Sequence, residues 1–282
     1  MTNELRDRTV LVTGASAGIG RATAAQLASM GARVLLASRS RERGEAARAS
    51  IAERVPGAST ELLLADLASQ DGVRSLAAQV LTATDRLDVL INNAGVFTRG
   101  YQATPDGLET QFAVNHLAPF LLTNLLRERL AESAPARVIT VSSEAHKRGR
   151  IDFDDLQGKE RYSGLKAYAQ SKLANLLFNR ELARRLGGTG VTSNALHPGV
   201  VATGLLFDSF RPLKLLRPLL RTPEQAARTT ICLAAAPALE RLTGLYFIDC
   251  EPARPSVAAR DDAAARRLWQ ISAELTGIDG RG

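Results

Sequence analysis

Of the chain's 282 residues only two are cysteine, Cys232 and Cys250. They are too few and too isolated for a disulfide framework or a zinc site, so both are expected to be buried thiols. Histidine is almost as scarce. His116, His146 and His197 are not spaced as metal ligands, so no metal is expected. No apolar run approaches the roughly 18 residues of a membrane span, and the polar start, Met1 to Arg8, leaves no room for a signal peptide's apolar region. The expectation is a soluble cytoplasmic protein without an integral membrane anchor. Aromatic residues make up only 5% of the chain, and no basic stripe or groove-reading motif accompanies the formal charge of +7. The arginines are scattered over helices that also carry acids, as in Arg180-Glu181, which argues against a nucleic-acid partner.

What the chain does have is a repeated alternation. Short β-rich apolar runs, at Thr9 to Thr13, Arg33 to Ala37, Glu61 to Ala65, Val89 to Asn92, Arg137 to Ser142, Val191 to Leu196 and Leu245 to Ile248, are separated by alanine-rich amphipathic stretches. Strands apolar on successive residues need cover on both faces, and the intervening segments are long enough for crossover helices. The expectation is an α/β protein: a doubly wound, seven-stranded parallel sheet with helices on both faces, in a single domain. A cofactor half would span about 1–140 and a catalytic half about 141–282. Two stretches depart from the alternation: the polar Glu144 to Lys166 and the basic, apolar Leu205 to Arg221. Both follow strand ends, where such sheets bind ligands, and are candidate walls or lids.

The first strand runs into Thr13-Gly14-Ala15-Ser16-Ala17-Gly18-Ile19-Gly20, which opens a helix continuing through Met30. Glycines permit a tight turn and close backbone approach, while free amides at the helix start hold negative charge, so a pyrophosphate belongs here. The spacing, Gly-x-x-x-Gly-x-Gly, departs from the common dinucleotide fingerprint. At the end of the second strand stands Ser38-Arg39-Ser40-Arg41, with no carboxylate to repel a phosphate; Arg39 favours NADP(H) over NAD(H). Downstream, Tyr168 and Lys172 are four residues apart. In a helix over Ala167 to Leu186 they share one face, where an ammonium would draw the phenol's pKa down from about 10. Tyr-x-x-x-Lys alone is common to many helices, and a second copy occurs at Tyr162 and Lys166.

Together with Asn92-Asn93-Ala94-Gly95, Asn115, Val141-Ser142-Ser143 and Pro198-Gly199, these motifs stand in the order of the short-chain dehydrogenase/reductase family, which the chain resembles from Thr9 to about Phe247. The resemblance implies a Rossmann fold and a catalytic set of Asn115, Ser143, Tyr168 and Lys172. Tyr168 would be acid or base and Ser143 would hold the reacting oxygen, with Ser142 structural. Lys172 would lower the tyrosine pKa and bind the nicotinamide ribose, and Asn115 would hold a relay water. The implied cofactor contacts are the glycine turn (Gly14, Ser16, Ala17, Gly18, Ile19 and Gly20), Arg39, Asp66 and Leu67 at the adenine, and Asn92, Ala94 and Gly95 beside the adenine ribose. Tyr168, Lys172, Pro198, Gly199, Val201 and Thr203 would complete them. Asp66 and Thr203 are also good helix caps.

Ser143 and Tyr168 are 25 positions apart, more than in the family's common bacterial reductases. The inserted Asp152-Phe153-Asp154-Asp155-Leu156 and Arg161-Tyr162-Ser163, with His197-Pro198-Gly199 and Arg266-Arg267-Leu268-Trp269, resemble the retinol dehydrogenase and protochlorophyllide reductase branch. That branch acts on apolar aldehydes, ketones and alcohols, usually with NADP(H). Its membrane-bound retinol enzymes carry an N-terminal anchor; none is expected here, so retinoid specificity is not implied. Leu205 to Leu220 reads as a lid over an apolar pocket, or as a membrane-surface helix interrupted by Pro212 and Pro218. The family's habit of pairing through the helices around Asn115 and Tyr168 makes a homodimer an expectation. A noncatalytic cofactor sensor on the same fold is the rival reading, and four competent catalytic side chains argue against it.

Overall fold

Along β1 (Thr9–Thr13) every side chain is buried: Val10 and Val12 belong to one apolar core while Leu11, between them, belongs to another. Side chains that alternate across a strand and are apolar on both faces require helices above and below. The computed structural model, which describes residues 4–201 and 221–279, supplies them. The other strands are β2 (Arg33–Ser38), β3 (Thr60–Leu64), β4 (Val89–Asn92), β5 (Ala136–Val141), β6 (Val191–His197), β7 (Tyr246–Ile248) and β8 (Glu251–Ala253). The helices are α1 (Gly18–Ser29), α2 (Arg41–Arg54), α3 (Gln70–Ala83), α4 (Thr110–Phe112), α5 (Ala118–Leu125), α6 (Arg127–Glu132), α7 (Gly164–Arg185), α8 (Pro223–Ala235) and α9 (Asp262–Thr276). One core packs the sheet against α1 and α8 through Leu27 and Leu233; the other packs it against α3, α5 and α7 through Leu76, Phe120 and Phe178.

The sheet order is β3-β2-β1-β4-β5-β6-β7-β8. The chain winds outward from β1 through β3, then returns to place β4 against β1, so the switch point lies at the carboxyl ends of those two strands. Seven strands run parallel, and the eighth corrects the seven-stranded expectation: β8 pairs antiparallel with β7. Only Asp249 and Cys250 lie between them, both left-handed (φ 51° and 67°), as a two-residue hairpin turn of the mirror-image type requires.

That turn also corrects the reading of the cysteines. It carries Cys250 to Cys232 on α8, where the two form a disulfide with a Cα–Cα distance of 5.9 Å, and both are partly exposed. Eighteen residues of separation said nothing of this approach, because the hairpin that creates it was not visible as a strand pair.

The last helix covers α5 and α7. Trp269 stacks on Phe178 at 5.9 Å and meets Phe120 edge-on at 4.8 Å, and the Arg185 guanidinium lies 4.4 Å from the Trp269 ring centroid. The chain's own α9 therefore occupies part of the helix surface on which a homodimer was expected. Among the described residues no helix is long and apolar enough to cross a membrane.

Candidate active site

The register of the sheet puts Thr13, Ser38, Asn92, Val141 and His197 at one edge, and the glycine turn, Ser38-Arg39, Asn92 to Gly95, Val141-Ser142-Ser143 and Pro198-Gly199 begin at or just beyond these residues. Gly14 turns with φ of 66° and Gly18 with 53°. Gly20 has a different reason: a Cβ there would lie 2.3 Å from the Gly14 carbonyl oxygen and 2.5 Å from Asn93 Nδ2. Thr13 and Asn93 hold the turn from below. The Thr13 hydroxyl accepts from the Asn93 and Ala94 amides, both at 3.0 Å, and Asn93 Nδ2 donates to the Thr13 carbonyl at 2.8 Å. Neither residue was assigned a role from sequence, although a threonine at the strand end and a doubled asparagine were there to be read.

Ser40, Ser69, Thr222 and Asp261 cap α2, α3, α8 and α9 with their side chains. At α1 the capping residue is Ala17, no side chain accepts from the first amides, and no acid stands in the first turn. Ser16, Ala17, Gly18 and Ile19 thus frame an open, positive helix end, and the glycine cradle fits a pyrophosphate.

Arg39 is exposed just beyond β2, one residue before the Ser40 cap, and makes no ion pair among the described residues. Asp66 is not a helix cap: that position is Ser69, and Asp66 instead accepts from the Ala68 amide at 3.0 Å. It is exposed, while Leu67 packs against the core. Asn92 departs from its expected role. Its side chain turns into the core and donates to the Thr123 hydroxyl at 3.1 Å, leaving only its backbone for a ligand. Ala94 and Gly95 stay accessible.

Asn115 lies in a π-helical turn, Ala113–Leu117, between α4 and α5. Such turns interrupt helices where a side chain must be re-aimed. Fully buried, Asn115 accepts from the Val96 amide (2.7 Å) and donates to the Val96 carbonyl and the Ser171 hydroxyl (both 3.0 Å). Both amide hydrogens are thereby committed, and what remains for a water is acceptor capacity at Oδ1. An added Cβ at Gly95 would be 3.4 Å from that oxygen and 3.5 Å from Lys172 Nζ, so the two groups converge there.

Tyr168 and Lys172 are one turn apart on α7. Lys172 is buried, donates to the Val141 carbonyl at 3.1 Å, and has its pKa brought down to about 8 by burial. Ser142, fully turned inward, donates to the Lys172 carbonyl at 2.7 Å, a structural link between β5 and α7. Burial pushes the Tyr168 phenol up from its ordinary value, and a hydrogen bond with Ser143 draws it partly back. This reverses the expected acidification. Lys172 Nζ is 5.6 Å from the Tyr168 ring centroid, and desolvation outweighs its attraction for a phenolate.

Ser143 is oriented by its neighbours. Its hydroxyl accepts from the Ala145 amide at 3.2 Å, and its carbonyl is 2.7 Å from His146 Nδ1. His146 Nε2 accepts from the Ser256 amide, which fixes the hydrogen on Nδ1 and makes it the donor to Ser143. His146 was set aside in sequence as a non-ligand; its role is to hold the serine's backbone. Pro198 is buried after β6, Gly199 has φ of 87°, and a Cβ there would meet Arg221 Cδ at 2.6 Å. Val201 bridges to Arg221. Thr203 and the Leu205 to Leu220 segment lie outside the described residues. Among the described residues no cluster of potential metal ligands occurs.

This edge, with its glycine cradle, uncapped helix and Ser-Tyr-Lys group, defines a nucleotide-dependent oxidoreductase of the Rossmann type. The family model for short chain dehydrogenases matches residues 8–212, and the chain belongs to that family. Retinol dehydrogenase 14 from Homo sapiens is 46% identical over 97% of this chain and 88% of its own length, which puts the chain on the retinol dehydrogenase branch. An uncharacterized protein from Mycobacterium paratuberculosis has a crystal structure with a TM-score of 0.81 at 36% identity, covering 100% of this chain and 99% of that one. A short chain dehydrogenase from Burkholderia cenocepacia, crystallised in complex with NADP, gives 0.70 at 28% identity over 86% of this chain and 96% of its own.

Proposed function

We propose that the protein is an NADP(H)-dependent oxidoreductase that moves a hydride between the nicotinamide and the carbonyl or alcohol carbon of an apolar aldehyde, ketone or alcohol, with Tyr168 as acid and base. The observation that carries this reading is the meeting of Tyr168, Ser143 and Lys172 beside an uncapped helix end at the sheet's switch point. When bound, the dinucleotide supplies or accepts the hydride. The chain's residues do the rest. Tyr168, kept protonated at neutral pH by burial, gives its proton to the carbonyl oxygen as negative charge develops there. Ser143, its oxygen accepting from Ala145 and its hydroxyl bonded to Tyr168, is placed to turn its hydrogen to that same oxygen when substrate binds. Lys172 steadies the phenolate left behind, and Asn115 Oδ1 can accept from a water that restores the proton.

Arg39 favours the 2′-phosphate, in line with the NADP-bound Burkholderia relative. Apolar substrates accord with the retinol named for the relatives and with the Phe97 ring edge-on to Tyr168 at 5.8 Å. The test is a screen of aldehydes, ketones and alcohols with NADPH and NADP⁺, following nicotinamide absorbance; turnover of an apolar carbonyl is expected, and none with any carbonyl or alcohol would overturn the reading. Arg39→Ala should weaken NADPH by about tenfold and NADH far less, the loss of one charge-assisted contact. Equal losses in the two titrations would contradict the cofactor assignment.

A further inference from the structure

Tyr162 forms the better connected of the two Tyr-x-x-x-Lys phenols, and the catalytic reading gives it no task. Its hydroxyl lies 2.8 Å from each of Thr98 Oγ1, Gln111 Nε2 and Glu109 Oε1. A phenol has one hydrogen to give. The phenol's hydrogen goes to the Glu109 carboxylate, so Gln111 and Thr98 donate to the phenol oxygen. Glu109 is 1% exposed and also accepts from the Gln111 and Phe112 amides at 2.9 and 2.6 Å, a carboxylate held by the start of α4. Burial holds the Tyr162 pKa above its ordinary value, which keeps the donor protonated.

The network reaches the reactive tyrosine through the chain between them. Gln111 Nε2, whose two hydrogens serve three acceptors, also reaches the carbonyls of Thr98 (3.3 Å) and Gly164 (3.1 Å). At Gly164 an added Cβ would be 2.1 Å from the Thr98 oxygen, so residues 98 and 99 lie directly on the first turn of α7, four residues before Tyr168. The segment from Phe97 to Tyr101 is pinned at both ends by tyrosines: Phe97 meets Tyr168 edge-on at 5.8 Å and Tyr101 meets Tyr162 at 5.6 Å. Just before it, Val96 is bonded to Asn115. Apolar packing would hold such a loop at least as strongly; a directional polar network holds it in one arrangement, although Gln111 Oε1 is left buried without a partner among the described residues.

We infer that Tyr162 is a positioning residue that fixes the Phe97 to Tyr101 wall against Tyr168 and so sets the fit of large apolar carbonyls. The inference rests on the reading of Tyr168 as the proton donor. It is tested with Tyr162→Phe, assayed with NADPH on decanal and propanal. The loss of kcat/KM on decanal should exceed that on propanal by about tenfold, carried mainly by KM, with NADPH affinity kept. Thr98→Val removes a single partner, so it folds even where Tyr162→Phe does not. It should show the same preference to a smaller degree, and the double variant should be no worse than Tyr162→Phe alone. Equal losses on the two aldehydes, or no loss, would overturn the positioning role. Tyr168→Phe separates the two readings: retained turnover there sinks the acid-base assignment, whereas the size preference of the Tyr162 and Thr98 variants bears on the wall.

Discussion

Tyr162 and Tyr168 stand six residues apart, each with a lysine four positions on, and their surroundings have little in common. Tyr168 and Lys172 are both inside α7, one turn apart, and both sit at the sheet edge. Tyr162 precedes the extended Ser163 cap, so no helix face relates it to Lys166, which is exposed. Where the helix begins decides which spacing has meaning. The phenol in the helix has a serine and a desolvated lysine as neighbours, and the one before it has a carboxylate, an amide and a threonine. The first set suits proton transfer, and the second suits holding still.

Substitution of the two lysines should separate the pairs most widely. Lys172→Met should reduce turnover by about 10²- to 10⁴-fold, while its stability effect runs the other way. Lys172 has a folded pKa of about 8 against 10.5 in the open chain, so the unfolded state binds more protons between those values. Its penalty on folding is therefore complete below about pH 8 and is relieved as pH rises to 10.5. At pH 7 the methionine variant should be more stable by on the order of 1–3 kcal/mol in denaturant titrations, with the gain vanishing above pH 10. A variant less stable at pH 7 would mean that the Val141 contact outweighs the buried charge.

A smaller effect is expected on the pH dependence of the wild-type protein. With Tyr168 raised by burial, its acid form persists through neutral pH, so carbonyl reduction should be flat from about pH 6 to 8 and alcohol oxidation should climb with pH. Initial rates in both directions would show it, and an oxidation rate that peaks near neutrality would assign the base to another group. Smallest of all, Lys166→Met should alter turnover and stability by less than about 0.5 kcal/mol, as for any exposed site of this kind. A larger loss would join Lys166 to the Tyr162 network and narrow the contrast.

All seven parallel strands were legible within a residue or so, because runs such as Val10 to Val12 are buried on both faces and leave no other reading. The glycine turn was legible for a similar local reason. What sequence did not show depends on residues far apart in the chain. β8 is three residues long and is defined by its partner. The disulfide depends on the turn before β8, and the inward rotation of Asn92 depends on Thr123. The Tyr168 pKa was misjudged because spacing reveals a neighbouring charge but not the degree of burial around it. Nothing in sequence gave Tyr162 a role, because its partners, Thr98, Glu109 and Gln111, are more than fifty positions away.

The comparison is tested most directly by the single-turnover rate of propanal reduction with saturating NADPH for Tyr168→Phe and Tyr162→Phe side by side, with NADPH affinity measured in both. The loss for Tyr168→Phe should exceed that for Tyr162→Phe by about a hundredfold or more, with both variants still binding NADPH. Comparable losses, or a Tyr168→Phe protein that turns over like the wild type, would contradict the assignment of the reactive proton to Tyr168.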